Sequence, residues 1–94
     1  MNLSNHDTFA AKLASLPLGS FRGVAHGRSY VVTRSLVAGG RGEKLVAEAL
    51  DGADYISLNL YHLAAGDTVK PCEMPLAKVV AFVMDLQVTA AVHL

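Results

Sequence analysis

The chain has 94 residues, 52% hydrophobic and 17% charged, with eight basic side chains balancing eight acidic ones. That length suits a single domain, residues 1–94, burying roughly 60–65% of its unfolded surface. Zero net charge offers no global attraction to nucleic acid or anionic membrane, and one cysteine excludes an intrachain disulfide or a multi-cysteine metal site.

The apolar content is generous for so small a core, and a homodimer interface would hide the surplus. Ser4, Asn5, His6 and Asp7 stand where an export signal would need an apolar run. The longest apolar run, residues 79–84, is far short of the roughly 20 residues that cross a bilayer. A lone cysteine fits a reducing compartment, so a soluble cytoplasmic protein is expected.

Ser4 and Asp7 offer acceptors to free backbone amides at a helix start, and Phe9, Leu13 and Leu16 follow as one apolar stripe. These predict a helix over 5–16, stopped by Pro17 and Gly19. Residues 20–25 and 29–37 read as strands joined at His26-Gly27, where glycine supplies the positive φ of a tight hairpin turn. Phe21, Gly23, Tyr30, Val32 and Leu36 then share one face, and Arg22, Thr33 and Ser35 the other. Arg34 falls on the apolar side, so it needs a partner or a place at the sheet's margin.

Residues 39–42 form a loop by composition. Residues 43–50 admit two readings. Their side chains favour helix, and Gly52 could end one; against that, Asp51-Gly52 is a strong hairpin turn. The hairpin is preferred. Pairing Leu50 with Ala53 sets Ala47 against Ile56 and Leu45 against Leu58 inside, with Glu48 beside Tyr55 and Lys44 beside Asn59 outside.

Residues 54–63 alternate with period two. Ile56, Leu58 and Leu60 face inward; Tyr55, Ser57, Asn59 and Tyr61 face outward. A turn over 65–67 and a short edge strand over 68–71 follow. Pro75 fits the first turn of a second helix striped by Leu76, Val79, Val80, Val83 and Leu86, broadened by Phe82 and Met84. Residues 87–94 read as either a fifth strand or a loose tail. The expected architecture is α+β: an antiparallel meander of four or five strands, with an N-terminal and a C-terminal helix packed on one face.

Charge is uneven along the chain. No acid lies between Thr8 and Gly42, which hold Lys12, Arg22, Arg28, Arg34 and Arg41; Glu43, Glu48, Asp51 and Asp54 follow against Lys44. Neighbouring hairpins that compensate each other's charge would account for this.

Cys72, in Lys70-Pro71-Cys72-Glu73-Met74-Pro75, is the one candidate nucleophile. A helix start and Lys70 favour the thiolate while Glu73 opposes it, and a working thiol usually needs a histidine, for which His62 is the candidate. A Pro-framed cysteine is also an ordinary packing residue at a turn. Methionine sulfoxide reductases carry a Gly-Cys-Phe-Trp element, or Arg-Tyr-Cys with separate cysteine pairs for metal. Neither maps onto a chain with one cysteine and no tryptophan.

His6, His26, His62 and His93 show no metal-ligand spacing, so neither metal nor cofactor is expected. The Gly39–Lys44 stretch lacks phosphate-loop spacing, and could cradle an anion only if Glu43 opened a helix.

The outward face is the remaining candidate for function. Tyr55 and Tyr61 bracket Ser57 and Asn59, with Arg22 across the sheet; flat aromatics beside hydrogen-bonding groups suit a protein surface, a small polar ligand or unpaired bases. The Tyr55-to-Tyr61 strand with the Lys70-to-Pro75 helix entry resembles small bacterial proteins of unknown function over residues 39–83, which implies no activity or site residue.

The leading expectation is a non-enzymatic binding protein using Arg22, Arg34, Tyr55, Asn59 and Tyr61 toward a protein or small molecule. A thiol-dependent redox enzyme or sensor at Cys72 is the alternative. Single-stranded nucleic-acid binding through Arg22, Arg34, Tyr55 and Tyr61 is weaker, because Glu48 and Asp54 oppose phosphate.

Overall fold

A computed structural model describes residues 5–63 and 66–91. Helix α1 (Asn5–Ala14) is followed by strands β1 (Gly19–Ala25), β2 (Arg28–Val37), β3 (Gly42–Ala49), β4 (Tyr55–Leu63) and β5 (Gly66–Pro71), then helix α2 (Leu76–Asp85) and strand β6 (Gln87–Ala91). The strands form one antiparallel sheet in the order β5-β4-β3-β2-β1-β6. Among the described residues no helix is long and apolar enough to cross a membrane.

The α+β class and the meander agree with the sequence reading, but the sheet has six strands. After α2 the chain returns to the free edge of β1 and adds β6 there. That return is built into the packing of Gly23, where a Cβ would sit 2.7 Å from Leu86 Cδ1 and 2.9 Å from the Gln87 carbonyl. Helix α2 is therefore internal to the chain, not its last element. Gly66 and Asp67, expected in a turn, already belong to β5. The Ser4 cap lies outside the described residues.

The β1–β2 turn places His26 at φ 52° and Gly27 at φ 73°, both left-handed as a two-residue hairpin of this hand requires. Residues 43–50 are extended, and every β3–β4 register pair from the sequence reading is present from Lys44–Asn59 to Glu48–Tyr55. The connection itself is wider than expected. Ala49 N–H donates to the Asp54 carbonyl at 3.0 Å, while Leu50 N–H donates to Ser29 of β2 at 3.0 Å. Leu50 thus leaves the turn to extend the β2 ladder, and Asp51 Oδ1 accepts from Ala53 N–H at 2.9 Å to close the loop.

One core lies between the sheet and both helices. It holds Phe9, Leu13 and Leu16 from the N-terminal segment, Val79, Phe82, Val83 and Leu86 from the second, and the inward residues of the four central strands. Leu36 has the inward parity but is 53% exposed, since it lies beyond the helices' cover. Leu76 and Met84 on α2 are also exposed, so the stripe is narrower than the sequence suggested.

A polar clamp fixes α2 to the sheet. Asp54 accepts from Tyr30 Oη at 2.7 Å and from Lys78 Nζ at 2.8 Å, while the Tyr30 ring meets Phe82 edge-on at 4.8 Å. The Lys78 and Tyr30 hydrogen bonds hold the Asp54 carboxyl down to about 2, and burial, with Asp54 alongside, raises the Tyr30 hydroxyl.

A carboxyl depressed in the folded state contributes stability above its ordinary value near 3.8 and loses it as pH falls through about 2. The contribution is on the order of 1–2 kcal/mol, allowing for partial exposure. In urea titrations Asp54→Asn is therefore less stable than the wild type at neutral pH, and the gap closes between about pH 4 and pH 2. A gap that stays constant over that range contradicts the clamp.

Candidate functional site

Both helices cover one side of the sheet, which leaves the other side open. Register assigns that open side in rows. One runs Lys70, Asn59, Lys44, Ser35 across β5 to β2; the next runs Ser57, Val46, Thr33, Ser20; a third runs Tyr55, Glu48, Val31, Arg22. Ser20 and Thr33 hydroxyls lie 3.1 Å apart within their row. Val31 and Val46 are half-buried at the centre, and charged side chains stand around them.

Four of the five expected binding residues meet on this face. Arg22 is exposed, Tyr55 is 50% exposed, and Asn59 and Tyr61 are half-buried. Tyr61 closes over Gly42, where a Cβ would come within 3.0 Å of Tyr61 Cδ1 and of Val37 Cγ2. The glycine lets the tyrosine ring lie close to the sheet. Ser57, expected in solvent, is only 4% exposed; its carbonyl accepts from Cys72 N–H at 3.0 Å, which continues the β4–β5 ladder one residue past Pro71 and sets Cys72 beside it.

Arg34 does not belong to the face. It lies on the covered side, donating through Nε to Glu43 Oε1 at 2.7 Å and through Nη1 to the Leu16 carbonyl at 2.7 Å. The other Glu43 oxygen is 3.1 Å from His62 Nε2. Arg34 thus satisfies both requirements read from its position: a partner, and a place near the end of the core. Glu43 is 4% exposed, begins a strand and is engaged by two side chains, so no helix start forms there to cradle an anion.

Cys72 and His62 are separated by the sheet. Cys72 sits on the open side, with Asn59 Nδ2 4.0 Å from its sulfur, while His62 reaches Glu43 on the covered side. The histidine proposed as the thiol's base is therefore turned away from it. Among the described residues no group of three or more His, Cys, Asp or Glu is placed to hold a metal ion. A shallow depression of about 390 Å³ opens between the β1–β2 turn and the β3–β4 loop, where Arg28 and Asp51 face each other at 3.9 Å.

The residues that sequence reasoning passed over as candidates are Lys44 and Lys70. Parity already sets Lys44 outside beside Asn59; placing Lys70 there requires knowing that β5 pairs with β4 in this register. Arg28–Asp51 and Arg34–Glu43 bear out compensation between the hairpins, with Lys78–Asp54 and His26–Asp85 added. Glu43, Asp51, Asp54 and Asp85 are thus occupied. In the register rows of the open face Arg22, Lys44 and Lys70 stand with one acid, Glu48, and no ion pair among the described residues engages any of the four.

Compared with protein-family models, curated proteins and solved structures, the chain finds no match in any of the three.

Removing one member of a buried ion pair leaves the other without compensation, at about 3–5 kcal/mol, whereas replacing both with apolar groups is far milder. Glu43→Leu alone is expected to lower unfolding free energy by about 3 kcal/mol, and Arg34→Met with Glu43→Leu to recover much of that loss. A double variant as damaged as the sum of the singles contradicts the pairing.

Proposed function

We propose that this protein is a non-enzymatic binding module whose ligand-bearing surface is the open side of its sheet, with Arg22, Tyr55, Asn59 and Tyr61 in the contact area. The observation that carries this reading is the two-sidedness of the sheet. Both helices and the core occupy one side; the other keeps an apolar centre of Val31 and Val46 inside a rim of charge, hydroxyl groups and tyrosine. Interfaces have that anatomy, with Tyr and Arg enriched and charge displaced to the edge. The placement of Cys72 and His62 on opposite sides of β4 supports binding over thiol chemistry. The single thiol also fits a reducing cytoplasm.

Six strands spaced about 4.8 Å apart and roughly 20 Å long make a face on the order of 500 Å² in plan. A standard interface takes about 800 Å² from each partner, so this surface suits a modest, reversible contact.

A photo-reactive benzoylphenylalanine placed at Thr33, in the middle row of the open face, is expected to trap discrete adducts in cells. The same group at Ala81, exposed on α2, is the control. Equal adducts from both positions, or none from Thr33 beyond background, overturns the reading.

A further inference from the structure

The charge left on the open face identifies its partner more closely. Lys70 and Lys44 are the direct cross-strand neighbours of Asn59, one on each side, and Ser35 continues the row. Two strand spacings put the lysine backbones roughly 10 Å apart, with the amide between them. Neither ammonium has a counter-ion among the described residues, although the protein pairs Arg28, Arg34 and Lys78 elsewhere. Arg22 adds a third cation at the opposite end of the face, and Glu48 is the single acid in the register rows. A chain of zero net charge therefore carries a locally cationic surface.

The geometry points to an acidic protein segment as the occupant, its carboxylates seated on Lys44 and Lys70 across Asn59 and its apolar side chains on Val46 and Tyr61. This inference rests on the open-face reading and narrows it. Like charges oppose a second copy docking face to face, because each face would present three cations against three. Single-stranded nucleic acid needs cations that track a phosphate backbone together with stacking rings. Here three cations are spread over the face with Glu48 among them, and Tyr61 is laid down against Gly42. A protein surface with scattered carboxylates and an apolar centre fits both features.

The test is titration of the isotopically labelled protein with a short glutamate-rich peptide at low ionic strength, following backbone amide NMR signals. Shifts are expected at Ser35, Lys44, Asn59 and Lys70, fading as salt shortens the range of charge interactions. Joint Lys44→Glu and Lys70→Glu replacement, with the dispersed spectrum retained, is expected to weaken binding about tenfold or more. Lys44→Arg should bind as the wild type does.

Shifts that fall elsewhere, or survive the double reversal, overturn the inference. So does tighter binding of an oligothymidylate at the same residues, or a concentration-dependent shift there without peptide. If the peptide fails while Thr33 still traps adducts, the acidic partner is wrong and the open-face reading stands. If both fail, both are wrong.

Discussion

Two helices of ten residues can shelter only one side of a six-stranded sheet, and everything else in this protein follows from that limit. Strand side chains alternate, so each central strand must supply an apolar set to the helices and a different set to the uncovered side. Strand β3 makes this plain. Leu45, Ala47 and Ala49 are sealed in the core, while Lys44 and Glu48 are exposed and Val46 is half-buried between them. A slip of one residue in β3 would exchange the two sets, so burial of one side fixes the composition of the other.

The same constraint sorts the charges. An arginine on the covered side is tolerated because Glu43 and the Leu16 carbonyl engage it, and that engagement joins the end of the N-terminal segment to β2, β3 and, through His62, β4. Asp54 does comparable work at the other end, gathering Tyr30 and Lys78 where α2 crosses the sheet. Acids drawn into these contacts are lost to the open face, which keeps its cations with little compensation. Structural demands on one side have thereby given the other a sign.

Local signals made much of this legible in the sequence. Alternation in residues 54–63, glycines at the turns and the parity of Arg34 fixed the hairpins, their register and the inward charge. Non-local contacts did not show. Strand β6 is five residues without charge or turn signal, and only its pairing with β1, with a register shift between Arg22 and Gly23, makes it a strand. The Asp54 clamp joins residues 24 positions apart on two hairpins with a third from a helix, a convergence no spacing rule encodes. Arg34 looked like a binding residue by type, while its parity already argued for the interior. Lys44 and Lys70 do not read as binding residues from the sequence because a solvated lysine is ordinary until its neighbours' ion pairs are known.

The binding surface exists only if the Val46 side of the sheet meets solvent. Relaxation of methyl signals by a dissolved, uncharged gadolinium chelate reads this directly along one strand. The Val46 methyls should be strongly broadened and those of its neighbours Leu45 and Ala47 spared. Equal broadening of all three, or protection of Val46 in the isolated chain, would mean that the side taken as open is already covered.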